Sequence, residues 1–123
     1  MAIRRMKTYP AQTGYVYQYY FVGKREALED DPHAPADQYV FDVTSDRRAT
    51  YAMSVFVCAD ALDAWALAHG RSLTEAEQYA AAKLRLLEGL DEIPNLTAGD
   101  RTLVVNANNI EDVLASLGLS EEI

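Results

Sequence analysis

One acidic stretch of this chain carries side chains that could chelate a cation, namely Asp30, Asp31, His33 and Asp37. A metal site needs several ligands that converge on one point, whereas dense acids around two prolines are more typical of a solvated loop. We therefore predict neither a metal site nor a cofactor.

A thiol and a second imidazole, Cys58 and His69, have side chains that can act as a nucleophile and a base. Cys58 precedes a predicted helix, whose N-terminus could activate the thiol, but a small buried side chain is the simpler interpretation. The sequence leaves its reactivity open. His69 falls at the end of that helix, where the helix dipole favours an imidazolium. We predict no catalytic residue, although the sequence does not decide whether the chain is an enzyme.

The tyrosines are harder to explain by such simple roles. Residues 14–23, GYVYQYYFVG, have aromatic side chains at four alternate positions: Tyr15, Tyr17, Tyr19 and Phe21. Because a β-strand turns successive side chains to opposite faces, these rings form a row on one side of a sheet. Such a row has to be buried in a core, covered by a partner or used to bind a ligand.

Two further strands are predicted at 39–44 and 50–57, joined by the polar turn 45–48. Their odd-numbered residues are large and apolar, and most of their even-numbered residues are smaller or more polar. We therefore predict a sheet with one apolar face under helices and one mixed, open face. The aromatic row of the first strand belongs to the apolar face, since its even-numbered row is the more polar one.

Helical patterns cover three later segments, the second of which Gly89 would end. Ser72 with Glu75, or Thr74 with Glu77, has the spacing of a capping box at the start of that second helix. The helices are predicted at 59–69, 72–88 and 109–117, with a short strand at 101–105.

These elements predict an α+β fold of order β-β-β-α-α-β-α, a mainly antiparallel sheet with helices packed on one face. With 123 residues, the chain is expected to form a single domain, 1–123. Residues 1–13 are interpreted as a flexible N-terminal arm. Residues 24–38, with two prolines and dense charge, are interpreted as an exposed acidic loop.

Each face of the predicted sheet offers a candidate site. Phenols that a dry core cannot easily satisfy could line a ligand pocket between sheet and helices. The ligand-pocket candidates are Tyr17, Tyr19, Tyr39, Tyr51 and Trp65. A mixed open face, neither strongly charged nor fully apolar, suits a second copy or another protein. The interface candidates are Gln18, Tyr20, Val40, Ala52, Ser54 and Phe56.

The formal charge of −8, from 19 acidic and 11 basic residues, argues against binding to nucleic-acid phosphates. No apolar stretch approaches the roughly 20 residues that a membrane span needs. The lone Cys58 cannot form an internal disulfide, and the first residues do not resemble a signal peptide. We expect a cytoplasmic protein that binds neither nucleic acid nor a membrane.

Two functional hypotheses follow. The first is a non-catalytic domain that self-associates as a homodimer, or docks another protein, through its open sheet face. The alternative is a small-molecule-binding protein or enzyme that uses the tyrosine-lined pocket, with the acidic segment 26–37 as its lid. No pattern in the sequence identifies a substrate, a ligand, a partner or the oligomeric order.

Overall fold

The structure, a computed structural model, describes residues 6–92 and 101–115. A five-stranded sheet of order β1-β2-β3-β4-β5 has three helices on one face, which confirms the predicted α+β fold. Neighbouring strands are antiparallel except β4 and β5, which are parallel and joined through two helices. The elements are β1 (Lys7–Pro10), β2 (Val16–Glu26), β3 (Ala36–Thr44), β4 (Tyr51–Cys58), α1 (Ala59–His69), α2 (Glu75–Glu92), β5 (Thr102–Val105) and α3 (Ile110–Leu114).

The edge strand β1 is the one described element that the sequence did not reveal. Its four residues pair antiparallel with β2, with Lys7 opposite Tyr19. The expectation of a flexible arm over 1–13 is therefore wrong for these four residues, and residues 1–5 lie outside the described part. A four-residue strand that ends in proline is tolerated at a sheet edge but is too short to give a detectable pattern.

Side-chain hydrogen bonds to Asp91 in α2 attach the region of β1 to the helical layer. Tyr9 Oη donates to Asp91 Oδ2 at 2.8 Å, and the backbone N–H of Gln12 donates to Oδ1 at 2.9 Å. The bond to the carboxylate raises the pKa of Tyr9 above its ordinary value, so the phenol keeps the proton that it donates.

The second strand runs further than predicted, and a β-bulge accompanies the extension. Phe21 lies opposite Phe41, but Gly23 lies opposite Val40, which leaves Val22 as the extra residue. A bulge of one residue reverses the faces of all the side chains that follow it on the same strand.

Past the bulge, the even-numbered residues of β2 face the helices. Lys24 has its Nζ 5.8 Å from the ring centroid of Tyr39, and Arg25 lies on the open face. Because β2 continues to Glu26, the exposed connection is 27–35, shorter than the predicted loop. Charged residues hid this end of the strand from its sequence pattern.

The core lies between the helices and the aromatic rows of the sheet. Phe41 is fully buried, and the ring of Tyr79 from α2 lies 5.1 Å from Phe21 and 6.2 Å from Phe41. Tyr19 meets Phe41 edge to face at 6.5 Å. Aromatic pairs in this range contribute about 0.5–1.5 kcal/mol each beyond the burial of their area. Phe21 itself is 38% exposed and forms the rim of this cluster.

Helix α2 passes closer to the sheet than its sequence suggested. Gly89, predicted to end the helix, is buried within it, and the helix continues to Glu92. A Cβ at position 89 would lie 2.5 Å from Leu103 Cδ1, so the absent side chain leaves room for β5. Close approach is therefore the reason for glycine at this position.

The start of α2 confirms the second of the two proposed capping boxes. The backbone N–H of Glu77 donates to Thr74 Oγ1 at 3.1 Å, and that of Thr74 donates to Glu77 Oε1 at 2.9 Å. The Arg71 guanidinium donates to both carboxylate oxygens of Glu77, at 2.9 and 3.0 Å. These contacts, with Arg71 the largest cause, lower the pKa of Glu77 to about 2.

We expect Glu77→Gln to lower the free energy of unfolding by about 1 kcal/mol at neutral pH, the usual range for a cap and an exposed ion pair. The folded pKa lies below the ordinary value of 4.5, so this stabilisation is complete above pH 4.5 and is lost as the pH falls towards 2. Urea unfolding across this interval should show the difference from the wild type shrinking. Glu75→Gln, in the same turn but outside the box, should keep the wild-type pH dependence. A wild-type slope in Glu77→Gln would contradict this account.

We expect Phe41→Ala to lower the free energy of unfolding by about 3–5 kcal/mol, because it opens a cavity beneath Tyr79. Phe21→Ala removes a ring from the partly exposed rim of the same cluster and should cost less than half as much. Urea titration with matched m-values measures both. Equal losses in the two variants would show that the ring cluster is not the centre of the core.

Candidate interaction surface

The open face is the side of the sheet turned away from the described helices. Its centre consists of three rows that run across β2, β3 and β4, set by the strand register. The first row is Tyr20, Asp42 and Ala52; the second is Gly23, Val40 and Ser54; the third is Arg25, Gln38 and Phe56. Gln18 lies one row further out, opposite Thr44. The register therefore brings all six predicted interface residues onto one face.

Polar side chains on the open face are hydrogen-bonded to one another. Tyr20 Oη donates to Asp42 Oδ2 at 2.9 Å. Gln38 links two strands, because its Oε1 accepts from Arg25 Nε at 2.9 Å and its Nε2 donates to Ser54 Oγ at 2.9 Å. Burial of a polar group is costly mainly when it leaves a hydrogen bond unmade. This face can therefore be covered at a smaller cost than its polar composition suggests.

The middle of the open face is a shallow depression of about 480 Å³. Small residues create it, since Gly23 and Ala52 stand beside Val40 in neighbouring rows. A second depression of about 280 Å³ lies at the end of the face where Gln18 meets the turn after β3. Neither is deep, so the surface suits broad contact better than enclosure of a small ligand.

Phe56 is the interface candidate that the structure places differently from expectation. Only 5% of it is exposed, because the imidazole of His33 stacks on its ring, with centroids 4.5 Å apart and planes at 19°. Asp31 fixes this imidazole, accepting from the His33 backbone N–H at 2.8 Å and lying 3.0 Å from Nδ1. The backbone bond is the main reason why the pKa of Asp31 is lowered. The loop 27–35 therefore covers this end of the face.

The five ligand-pocket candidates do not surround one space. Tyr19 and Tyr39 belong to the ring cluster beneath Tyr79, where the rings fill the gap between sheet and helix. Burial, the largest cause, raises the pKa of Tyr39 to about 12, so its phenol stays neutral. The other three candidates contact different neighbours: Tyr17 lies beside Tyr15, Tyr51 beside Arg101, and Trp65 beside His69 and Arg71.

The side chains considered for chemistry have structural contacts. His69 stacks on Trp65 at 4.1 Å, and its Nε2 lies 2.9 Å from Glu111 Oε2, which connects α1 to α3. Burial, followed by the nearby Asp60, raises the pKa of Cys58, so the start of α1 does not activate the thiol. In residues 6–92 and 101–115, no three His, Cys, Asp or Glu side chains converge as a metal site requires.

No helix in the described ranges is long and apolar enough to cross a membrane. Comparison of the chain with protein-family models, with curated proteins and with solved structures finds no match. Function therefore has to be argued from the surface itself, because a fold class alone does not determine it.

We expect a stabilising coupling of about 1 kcal/mol between His33 and Phe56, as is typical of stacked rings. A double-mutant cycle of His33→Ala, Phe56→Leu and the double variant, followed by urea unfolding, measures this coupling. Phe56→Leu keeps an apolar side chain on β4 and so protects the sheet. Strictly additive losses would mean that the loop is not attached to the open face through this stack.

Proposed function

We propose that this chain is a small, non-catalytic interaction domain that self-associates through its open sheet face. The observation that carries the proposal is the internally satisfied polar network around an apolar centre at Val40. Such a surface loses few hydrogen bonds to water when covered, and it gains from the burial of Val40 and Ala52. Tyrosine at position 20 adds a large contact area with few rotatable bonds.

Charge also supports a second copy as the partner. The chain has a formal charge of −8, so two copies repel each other over most of their surfaces. The three central rows of the open face, in contrast, contain one acid and one base, Asp42 and Arg25. This nearly neutral patch is where two copies can approach at the smallest electrostatic cost.

The size of the face suits a weak complex. Strands about 4.8 Å apart, with about 3.3 Å per residue, give it a projected area of about 550 Å². Two such faces bury about 1,100 Å², at the lower end of the range for specific complexes. We therefore propose a concentration-dependent homodimer rather than an obligate one.

The alternative hypothesis, ligand binding between sheet and helices, receives less support because the rings of Tyr19 and Tyr39 pack against other rings. A different protein docked on the open face would use the same surface, and heterogeneous association in solution would point to it. We further propose a cytoplasmic location, since a reducing compartment suits the single Cys58.

Sedimentation velocity from about 5 µM to about 500 µM should show reversible dimerisation of the wild-type chain. Ala52→Glu places a charge at the centre of the proposed interface and should shift the midpoint of dimerisation to at least tenfold higher concentration. Ala52 is exposed, so the free energy of unfolding should change by less than about 0.5 kcal/mol.

Leu67→Glu is the matched control, because Leu67 is 88% exposed on α1 and lies away from the open face. It adds the same charge and should leave dimerisation unchanged. A wild-type chain that stays monomeric at the highest concentration would refute self-association. Loss of the dimer in Leu67→Glu but not in Ala52→Glu would place the interface on the helical side.

A further inference from the structure

The strand register restricts how two copies can meet on this face. Two sheets stacked face to face are related by a two-fold axis that lies in the plane between them. With the axis over Val40, the centre of the face, two arrangements keep the strands aligned. An axis along β3 places every row opposite itself, whereas an axis across the strands places the first row opposite the third.

Charge separates these two arrangements. With the axis along β3, Asp42 of each copy lies opposite Asp42 of the other, and two carboxylates repel each other as they lose solvent. With the axis across the strands, β2 faces β2, so Arg25 of each copy lies opposite Tyr20 of the other. Tyr20 is the residue that donates a hydrogen bond to Asp42, so the guanidinium meets a phenol and a carboxylate.

Shape favours the same arrangement. The third row is raised on β4, where the imidazole of His33 stacks on Phe56. The first row is low on the same strand, where the side chain is that of Ala52. An axis across the strands puts the raised stack of one copy against the low Ala52 of the other, twice by symmetry. An axis along β3 puts raised and low positions opposite different strands and offers no such match.

We infer that the dimer forms about a two-fold axis that runs across the strands over Val40, with Arg25 of each copy against the Tyr20–Asp42 pair of the other. This inference rests on the proposed self-association and adds its geometry. Each dimer then contains two equivalent contacts between Arg25 and the partner's Asp42, so a charge reversal at either position disrupts both.

The decisive experiment mixes two charge-reversed variants, Arg25→Glu and Asp42→Lys. Alone, each variant has two like-charge contacts and should dimerise at least about tenfold more weakly than the wild type. Mixed in equal amounts, the two variants form a heterodimer with one wild-type contact and one reversed but attractive contact. Sedimentation velocity of the mixture should show dimerisation restored to within about threefold of the wild type.

The outcomes are distinguishable. A wild-type dimer with a mixture no stronger than the separate variants would overturn the two-fold arrangement and leave self-association standing. A monomeric wild-type chain would overturn both. Glu111→Lys, on the surface of α3, controls for the change in net charge and should not rescue Arg25→Glu.

A second measurement needs no substitution, in case Asp42→Lys fails to fold. In a dimer of one isotope-labelled and one unlabelled copy, filtered nuclear Overhauser spectra report only contacts between the copies. The inferred geometry predicts contacts from the Ala52 methyl group to the His33 ring of the other copy. Contacts from Ala52 to β2 of the other copy would instead support an axis along β3.

Discussion

The burial of one row of side chains along each of β2, β3 and β4 is the constraint on which the rest of this structure depends. Strands alternate their side chains strictly, so enclosing Tyr19, Phe41 and Val55 under the helices turns the neighbouring residues outward. The ring of Tyr79 completes the enclosed layer from the helical side. The composition of the open face is therefore a consequence of the core, and it cannot change register without exposing the aromatic rings.

The β-bulge at Val22 modifies this constraint in a way that matters for the proposed function. Without it, Arg25 would face the helices and Lys24 would face outward. With it, Arg25 joins the open face, where Gln38 accepts a hydrogen bond from its Nε. The bulge thus gives the open face its only basic group within the three central rows, and makes that patch nearly neutral in an acidic protein.

Alternation and capping patterns were sufficient to predict the sheet faces and the helix starts. The bulge, β1 and the close approach of Gly89 to Leu103 were not predictable, because each depends on contacts between segments far apart in the sequence. The same reason explains the site. The six open-face residues follow from parity alone, whereas the covering of Phe56 by His33 requires knowledge of where the loop 27–35 folds back.

The central claim is that the open face is the surface through which copies of this chain meet. Amide correlation spectra recorded over a dilution series from about 500 µM to about 10 µM test it most directly, residue by residue. The account predicts concentration-dependent shifts confined to the amides of β2, β3 and β4 around Val40, with exposed residues of α1 unchanged. Spectra that do not change on dilution, or shifts that cluster on the helices, would contradict it.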